Sequence, residues 1–165
     1  MNHIRVFSVL LLGLIVMSVA GLAEAQDNEG KPVVAKAAGA KFGPVPNAPE
    51  CFTVAVDKGD PSKGASVILA KFAPGCVAPF HWHTPSETAM IVSGSLEVQM
   101  NDEKPFVARH GDFAYLPPHH VHRATCVSTS PCMVFLSSDA AFDIHWVDAS
   151  GQEISLESAL KAAKR

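Results

Sequence analysis

From Cys51 to Val147 the chain is a succession of short apolar or β-branched segments, each ended by turn-forming residues. CFTVAV (51–56), ASVILAKFAP (65–74), TAMIVSGSLEVQMN (88–101), KPFVARHGD (104–112), FAYLPP (113–118), VHRATCVS (121–128), CMVFLSS (132–138) and FDIHWV (142–147) follow one another. DKGDPSKG, Ser93-Gly94-Ser95 and Asn101-Asp102-Glu103 lie between them as reversals. β-branched and aromatic residues suit a pleated, half-buried surface, and Gly, Asn, Asp and Pro supply the turns. No helix-length amphipathic segment separates the runs, so a βαβ layout is disfavoured and roughly eight or nine antiparallel strands closed into a barrel or sandwich are expected. The one helical pattern, ISLESALKAAK (154–164), stands at the end of the chain. Its Leu156, Leu160 and Ala163 spacing suits packing against the barrel or a partner subunit.

A chain of 165 residues is long enough for one domain and short for two. Its start combines Arg5, an apolar run from Val6 to Val19 and the small-residue ending Ala23-Glu24-Ala25. That is the pattern of a secretory leader, which places the mature start near Gln26 and the protein in the periplasm or outside the cell, with no stable membrane insertion after cleavage. The expected organisation is a signal peptide over 1–25, a Pro- and Gly-containing arm over 26–50 that becomes ordered towards Phe42, a barrel over 51–148 and a helical tail over 149–165. With 13 Lys+Arg against 16 Asp+Glu and no basic cluster, nucleic acid is not expected as a partner. Cys51, Cys76, Cys126 and Cys132 all follow the leader, in a compartment where disulfides persist. Three complete pairings are open to them; Cys126 and Cys132 could close a short loop, and buried free thiols remain an alternative.

Six of the eight His fall between Gly75 and Arg123. In His81-Trp82-His83 the strand period of two points both imidazoles to one face and Trp82 to the other. Glu87 follows a Pro-containing bend and can return a carboxylate to the same point. In Pro117-Pro118-His119-His120-Val121-His122 the same alternation would make His120 and His122 co-facial, although His119 and His120 read better as loop or outward-facing residues than as ligands. Three imidazoles and a carboxylate form a borderline-soft site that suits Fe(II), Mn, Ni, Co, Cu or Zn better than Ca or Mg. Four protein ligands on an octahedral ion leave two positions for water, substrate or dioxygen.

The stretch GCVAPFHWHTPSETAMIVSG, from Gly75 to Gly94, resembles the first motif of the cupins, G(X)5HXH(X)3-4E(X)6G, at every position. GDFAYLPPHHVHRATC, from Gly111 to Cys126, resembles the second, G(X)5PXG(X)2H(X)3N, with His119 in place of the Gly and Cys126 in place of the Asn. The short spacing between them is like that of small single-domain bacterial cupins. The resemblance implies an all-β, double-stranded β-helix (jelly-roll) barrel, a divalent metal on His81, His83, Glu87 and His122, and a homodimer. In some cupins the Glu position is lost or swings away, so Glu87 could bind the metal or accept a proton.

The resemblance favours a metal-dependent enzyme acting on a small molecule. With Fe(II), the family includes dioxygenases of thiols, enols and aromatic diols, and other members are isomerases, decarboxylases or lyases. A non-catalytic ligand-binding or sensing module in the periplasm is the alternative. Glu87 and Tyr115 are the candidate catalytic residues, Tyr115 as donor of a hydroxyl to substrate. Phe80, Met90, Val98, Phe113, Val134 and Phe135 are candidate pocket or core residues, of which strand alternation turns about half inward. Arg109 and Arg123 are the nearest cations; surface salt bridges are their simpler role.

Overall fold

A computed structural model describes residues 30–101 and 103–164 of the chain; the leader read over residues 1–25 lies outside them. Eleven strands form in chain order: β1 (Gly43–Pro44), β2 (Phe52–Gly59), β3 (Ser66–Phe72), β4 (Val77–Trp82), β5 (Glu87–Ser93), β6 (Ser95–Met100), β7 (Phe106–Arg109), β8 (Phe113–Leu116), β9 (His122–Cys126), β10 (Cys132–Ser138) and β11 (His145–Trp146). One helix, α1 (Leu156–Ala163), follows them. The strands make a six-stranded sheet, β1-β2-β3-β10-β5-β8, and a five-stranded sheet, β11-β4-β9-β6-β7. Pairing is antiparallel throughout, and the two sheets face one another as a jelly-roll barrel.

Alternation decides which side chains enter the barrel. Ile68, Ala70 and Phe72 on β3, Leu96 and Val98 on β6, and Val134 and Leu136 on β10 are buried in one cluster. Removing such side chains from water supplies roughly 25 cal/mol per Å² of apolar area, the main force holding the sheets together. The reversal between β5 and β6 is tight: Gly94 has φ +80°, and a Cβ there would lie 3.0 Å from the Cys132 Cα. Glycine is required at this turn for both its conformation and its size.

From Phe42 onward the segment before β2 lies against the barrel. Lys71 Nζ sits 4.4 Å above the Phe42 ring, β1 pairs with β2, and Asn47 O accepts a hydrogen bond from Trp146 Nε1 at 2.8 Å. At the other terminus Ser155 Oγ caps α1 by accepting from Ser158 N. Its apolar side, with Ala159 fully buried between Leu156, Leu160 and Ala163, lies towards β4. Among the described residues no helix is long and apolar enough to cross a membrane.

Two expected strands are shorter than their sequence pattern. FDIHWV pairs with β4 only at His145 and Trp146, because the Asp143 carbonyl and carboxylate are engaged by His83 and Thr84 instead of a neighbouring strand. VHRATCVS begins its ladder at His122, since Pro118 and His119 form a turn before it. The Cys pairing is resolved as Cys51–Cys76 and Cys126–Cys132, with Cα separations of 5.6 and 5.7 Å. The two bridges adjoin: Cys126 N donates to Cys76 O and Gly75 N donates to Cys126 O, both at 2.9 Å.

Candidate metal centre

All the residues picked out as ligands lie at one end of the barrel. His81 is near the end of β4, His83 lies one residue past it, Glu87 opens β5 and His122 opens β9. His81 and His122 face each other directly in the β4–β9 register, with ring centroids 4.2 Å apart. All four residues are buried, none more than 7% exposed. One ring nitrogen from each of His81, His83 and His122 falls within 4.8 Å of the others, close enough for one ion to draw together. Glu87 stands outside that group of three, its Oε2 3.5 Å from His83 Nε2.

The hydrogen bonds of the three rings define what they can do. Each Nδ1 is within hydrogen-bond distance of a backbone carbonyl: His81 of Pro79 at 2.7 Å, His83 of Asp143 at 2.5 Å and His122 of His120 at 2.9 Å. A carbonyl oxygen only accepts, so a neutral ring must carry its proton on Nδ1 and leave the Nε2 lone pair free. Burial, reinforced by the neighbouring histidines, holds His81 well below its ordinary pKa. Burial and the adjoining His83 bring His122 down to about 3. His83 Nε2 is a buried polar atom without a hydrogen-bond partner, an arrangement that costs free energy unless something binds it. A divalent transition ion fits this donor set, with the carbonyls fixing ring orientation from behind. Burial pushes the Glu87 carboxyl above the usual carboxylate range, and His83 offsets part of that rise.

The segment after β10 completes the surroundings. Phe142 lies against His83 with centroids 4.4 Å apart, and Trp146 against His81 at 5.0 Å. Asp143 anchors the strap twice, through its carbonyl to His83 and by accepting from Thr84 N at 2.7 Å on its carboxylate. Sequence reasoning did not pick out these residues, although the alternation of Phe142, Ile144 and Trp146 in FDIHWV was a usable signal: all three line the cavity.

That cavity has a volume of about 320 Å³ and reaches His81, His83, Glu87 and His122. Of the six candidate pocket residues, Val98, Phe113 and Val134 line it. Phe80, Met90 and Phe135 do not; they belong to the opposite face of their strands, where the Phe80 ring lies 5.6 Å from the outward Arg123 guanidinium. Tyr115 is not brought to the site. It alternates with inward Ala114 and Leu116, is 57% exposed and is no part of the cavity wall. His120 is not co-facial with His122, as strand alternation alone would have made it; it precedes the strand, in keeping with its reading as a loop residue, and approaches His122 through its carbonyl. Trp82 faces away from the ligands, as alternation required, and its ring is stacked on His145 at 3.8 Å with His119 at 4.6 Å. His119, in the place of the motif glycine, takes the left-handed φ of +62° that the glycine would supply. Its N–H donates to the His83 carbonyl at 2.9 Å and ties the two motifs together.

Residues 68–138 match the family model described as the cupin domain. Solved structures of the same fold include the polyketide cyclase RemF from Streptomyces resistomycificus, with 14% identity over 72% of this chain and 87% of that one and a TM-score of 0.62. An RmlC-like cupin from Shewanella frigidimarina gives 16% identity, 65% and 88% coverage and a TM-score of 0.53. KdgF from Halomonas sp. gives 20% identity, 60% and 87% coverage and a TM-score of 0.51. No curated protein matches the chain by sequence. The chain therefore carries a domain of the cupin superfamily, with a three-histidine cluster able to hold a divalent metal.

Proposed function

We propose that the protein is a metal-dependent enzyme acting on a small molecule, with the ion held by His81, His83 and His122, and that its chemistry is oxygenation with Fe(II). The observation that carries the reading is the orientation of the three rings: every Nδ1 is tied to a carbonyl, so three Nε2 lone pairs remain for a ligand. A concave space beside the cluster is what separates an open catalytic site from a closed structural one, and the cavity supplies that space. A bound divalent ion supplies Lewis acidity to a substrate oxygen and, as Fe(II), a site at which dioxygen can react. Glu87, with its pKa raised by burial, is suited to hold and return a proton beside His83, or to become a fourth ligand. Dioxygen uptake by iron-loaded protein in the presence of enols and aromatic diols tests this. Uptake that requires substrate and disappears in Glu87→Gln is the expected outcome. Turnover without oxygen consumption would replace it by Lewis-acid isomerase or lyase chemistry.

Export is part of the same proposal. It is supported by the leader pattern and by the pairing of all four cysteines, which suits an oxidising compartment. Intact mass of the exported protein should show a start near Gln26. A homodimer is proposed as well, supported by an apolar row on the outer face of the six-stranded sheet. There Phe135 and Met90 lie side by side in register, 40% and 46% exposed. Light scattering that finds only a monomer would remove that part.

A further inference from the structure

The composition of the cavity wall says which part of chemical space can enter it. Beyond the metal end the lining side chains are apolar except Asp112. Phe52 and Phe72 form its aromatic floor. Alanine occupies inward positions on five strands, Ala78, Ala89, Ala108, Ala114 and Ala124, where longer side chains would have filled the barrel. The volume of about 320 Å³ is thus built into the sequence as missing side-chain atoms.

No Lys or Arg is among the described residues that line this space. Three cations on strands that form this wall are turned elsewhere: Arg123 towards the outer Phe80 ring, Lys71 towards Phe42, and the exposed Arg109 towards the Val107 carbonyl. Among the described residues the acidic groups on the wall are Glu87 at the histidines and Asp112 beside Phe113. Phe106 and Phe113, wall residues that are also 45% and 63% exposed, mark the entrance with apolar surface. An ionised group carried beyond the metal would lose its water, gain no partner and, if anionic, meet Asp112. Desolvation of that kind costs several kcal/mol.

We infer that the site takes a compact, uncharged and largely apolar molecule with its polar oxygen function at one tip, of the phenol, catechol or enolisable ketone class. Acids, zwitterionic amino-acid thiols and phosphorylated sugars are excluded. This rests on the proposed metal-dependent function for the orientation of the oxygen, but the selection against charge resides in the wall and does not need the ion.

Two catechols with the same diol and different tails provide the test, 4-tert-butylcatechol and 3,4-dihydroxybenzoate. Their binding to the full chain is measured by calorimetry, with redox-inert Zn(II) bound and again after its removal. The butyl compound should bind about tenfold or more tightly than the benzoate in both forms, a difference of about 1.4 kcal/mol or more. Ala108→Leu, which fills the wall on a strand without ligands, should weaken the butyl compound by a similar factor and leave metal stoichiometry unchanged. Equal or tighter binding of the benzoate overturns the inference, as does unaltered affinity in folded Ala108→Leu. Should that variant not fold, the catechol pair on the unmodified chain decides alone. A chain that binds no ion but retains the preference in its metal-free form would end the metal reading and leave this one standing.

Discussion

The two ends of the barrel solve opposite problems with the same two strands. β4 starts beside Cys76 and finishes at the His81–His83 pair, and β9 starts at His122 and finishes at Cys126. At the cysteine end two covalent bridges and a pair of backbone hydrogen bonds lock the strands. At the histidine end four polar side chains are buried, and one ring nitrogen, His83 Nε2, is left without a hydrogen-bond partner. One end lowers the freedom of the unfolded chain, while the other carries a standing cost that a ligand can relieve. The difference teaches where stability is kept and where it is given up for function.

Acid should expose that difference most strongly. In metal-free protein the unfolded chain takes up protons at histidine near 6.5, whereas folded His122 resists until about 3 and His81 is depressed as well. Between those values the unfolded state binds more protons, so the contribution of these histidines is complete above pH 6.5 and declines as pH falls. Glu87, with its pKa raised, contributes stability that is lost as pH rises above 4.5, and it opposes the histidines in the upper part of that range. The steepest loss therefore falls below pH 4.5, on the order of a few kcal/mol at about 1.4 kcal/mol per pKa unit. Urea melts of the metal-free chain at several pH values check this; stability that stays level down to pH 3.5 would remove the contrast.

The cysteine end should yield a smaller, metal-independent effect. Replacing Cys51 and Cys76 by Ser frees a loop with a sequence separation of 25, worth about 3.5 kcal/mol by loop-closure entropy. Replacing Cys126 and Cys132, six apart, frees a shorter loop and should cost about 2 kcal/mol. Denaturant midpoints should drop in that order while metal stoichiometry persists. Loss of metal from the folded Cys126→Ser/Cys132→Ser variant would show that the ends are coupled. Smaller again, Gly94→Ala should cost about 1–3 kcal/mol through left-handed strain and its approach to Cys132; an unchanged thermal midpoint would show that the β5–β6 turn relaxes freely.

Sequence showed more of the histidine end than of the cysteine end. His81 and His83 were legible because two-residue periodicity needs only local structure, and the glycines around them mark strand ends. The disulfide pairing was not legible, because it depends on which strands become neighbours, a property of the whole barrel. Tyr115 was read for its hydroxyl, but alternation against Leu116, which is buried at 5% exposure, turns it outward. His120, read as a loop or outward-facing residue rather than a ligand, does lie before the strand, after the turn at Pro118 and His119. Asp143 escaped notice because it supports His83 through its backbone carbonyl, which carries no residue-type signal.

Metal content tests the central claim most directly. The full chain and its His81→Ala and His122→Ala variants, prepared anaerobically, are compared by elemental analysis together with their circular dichroism. One tightly held divalent transition ion per unmodified chain, and affinity lower by at least about a hundredfold in folded single variants, is the result expected when a direct ligand is removed. A folded chain that takes up no ion, or variants that retain it at full stoichiometry, would contradict the account.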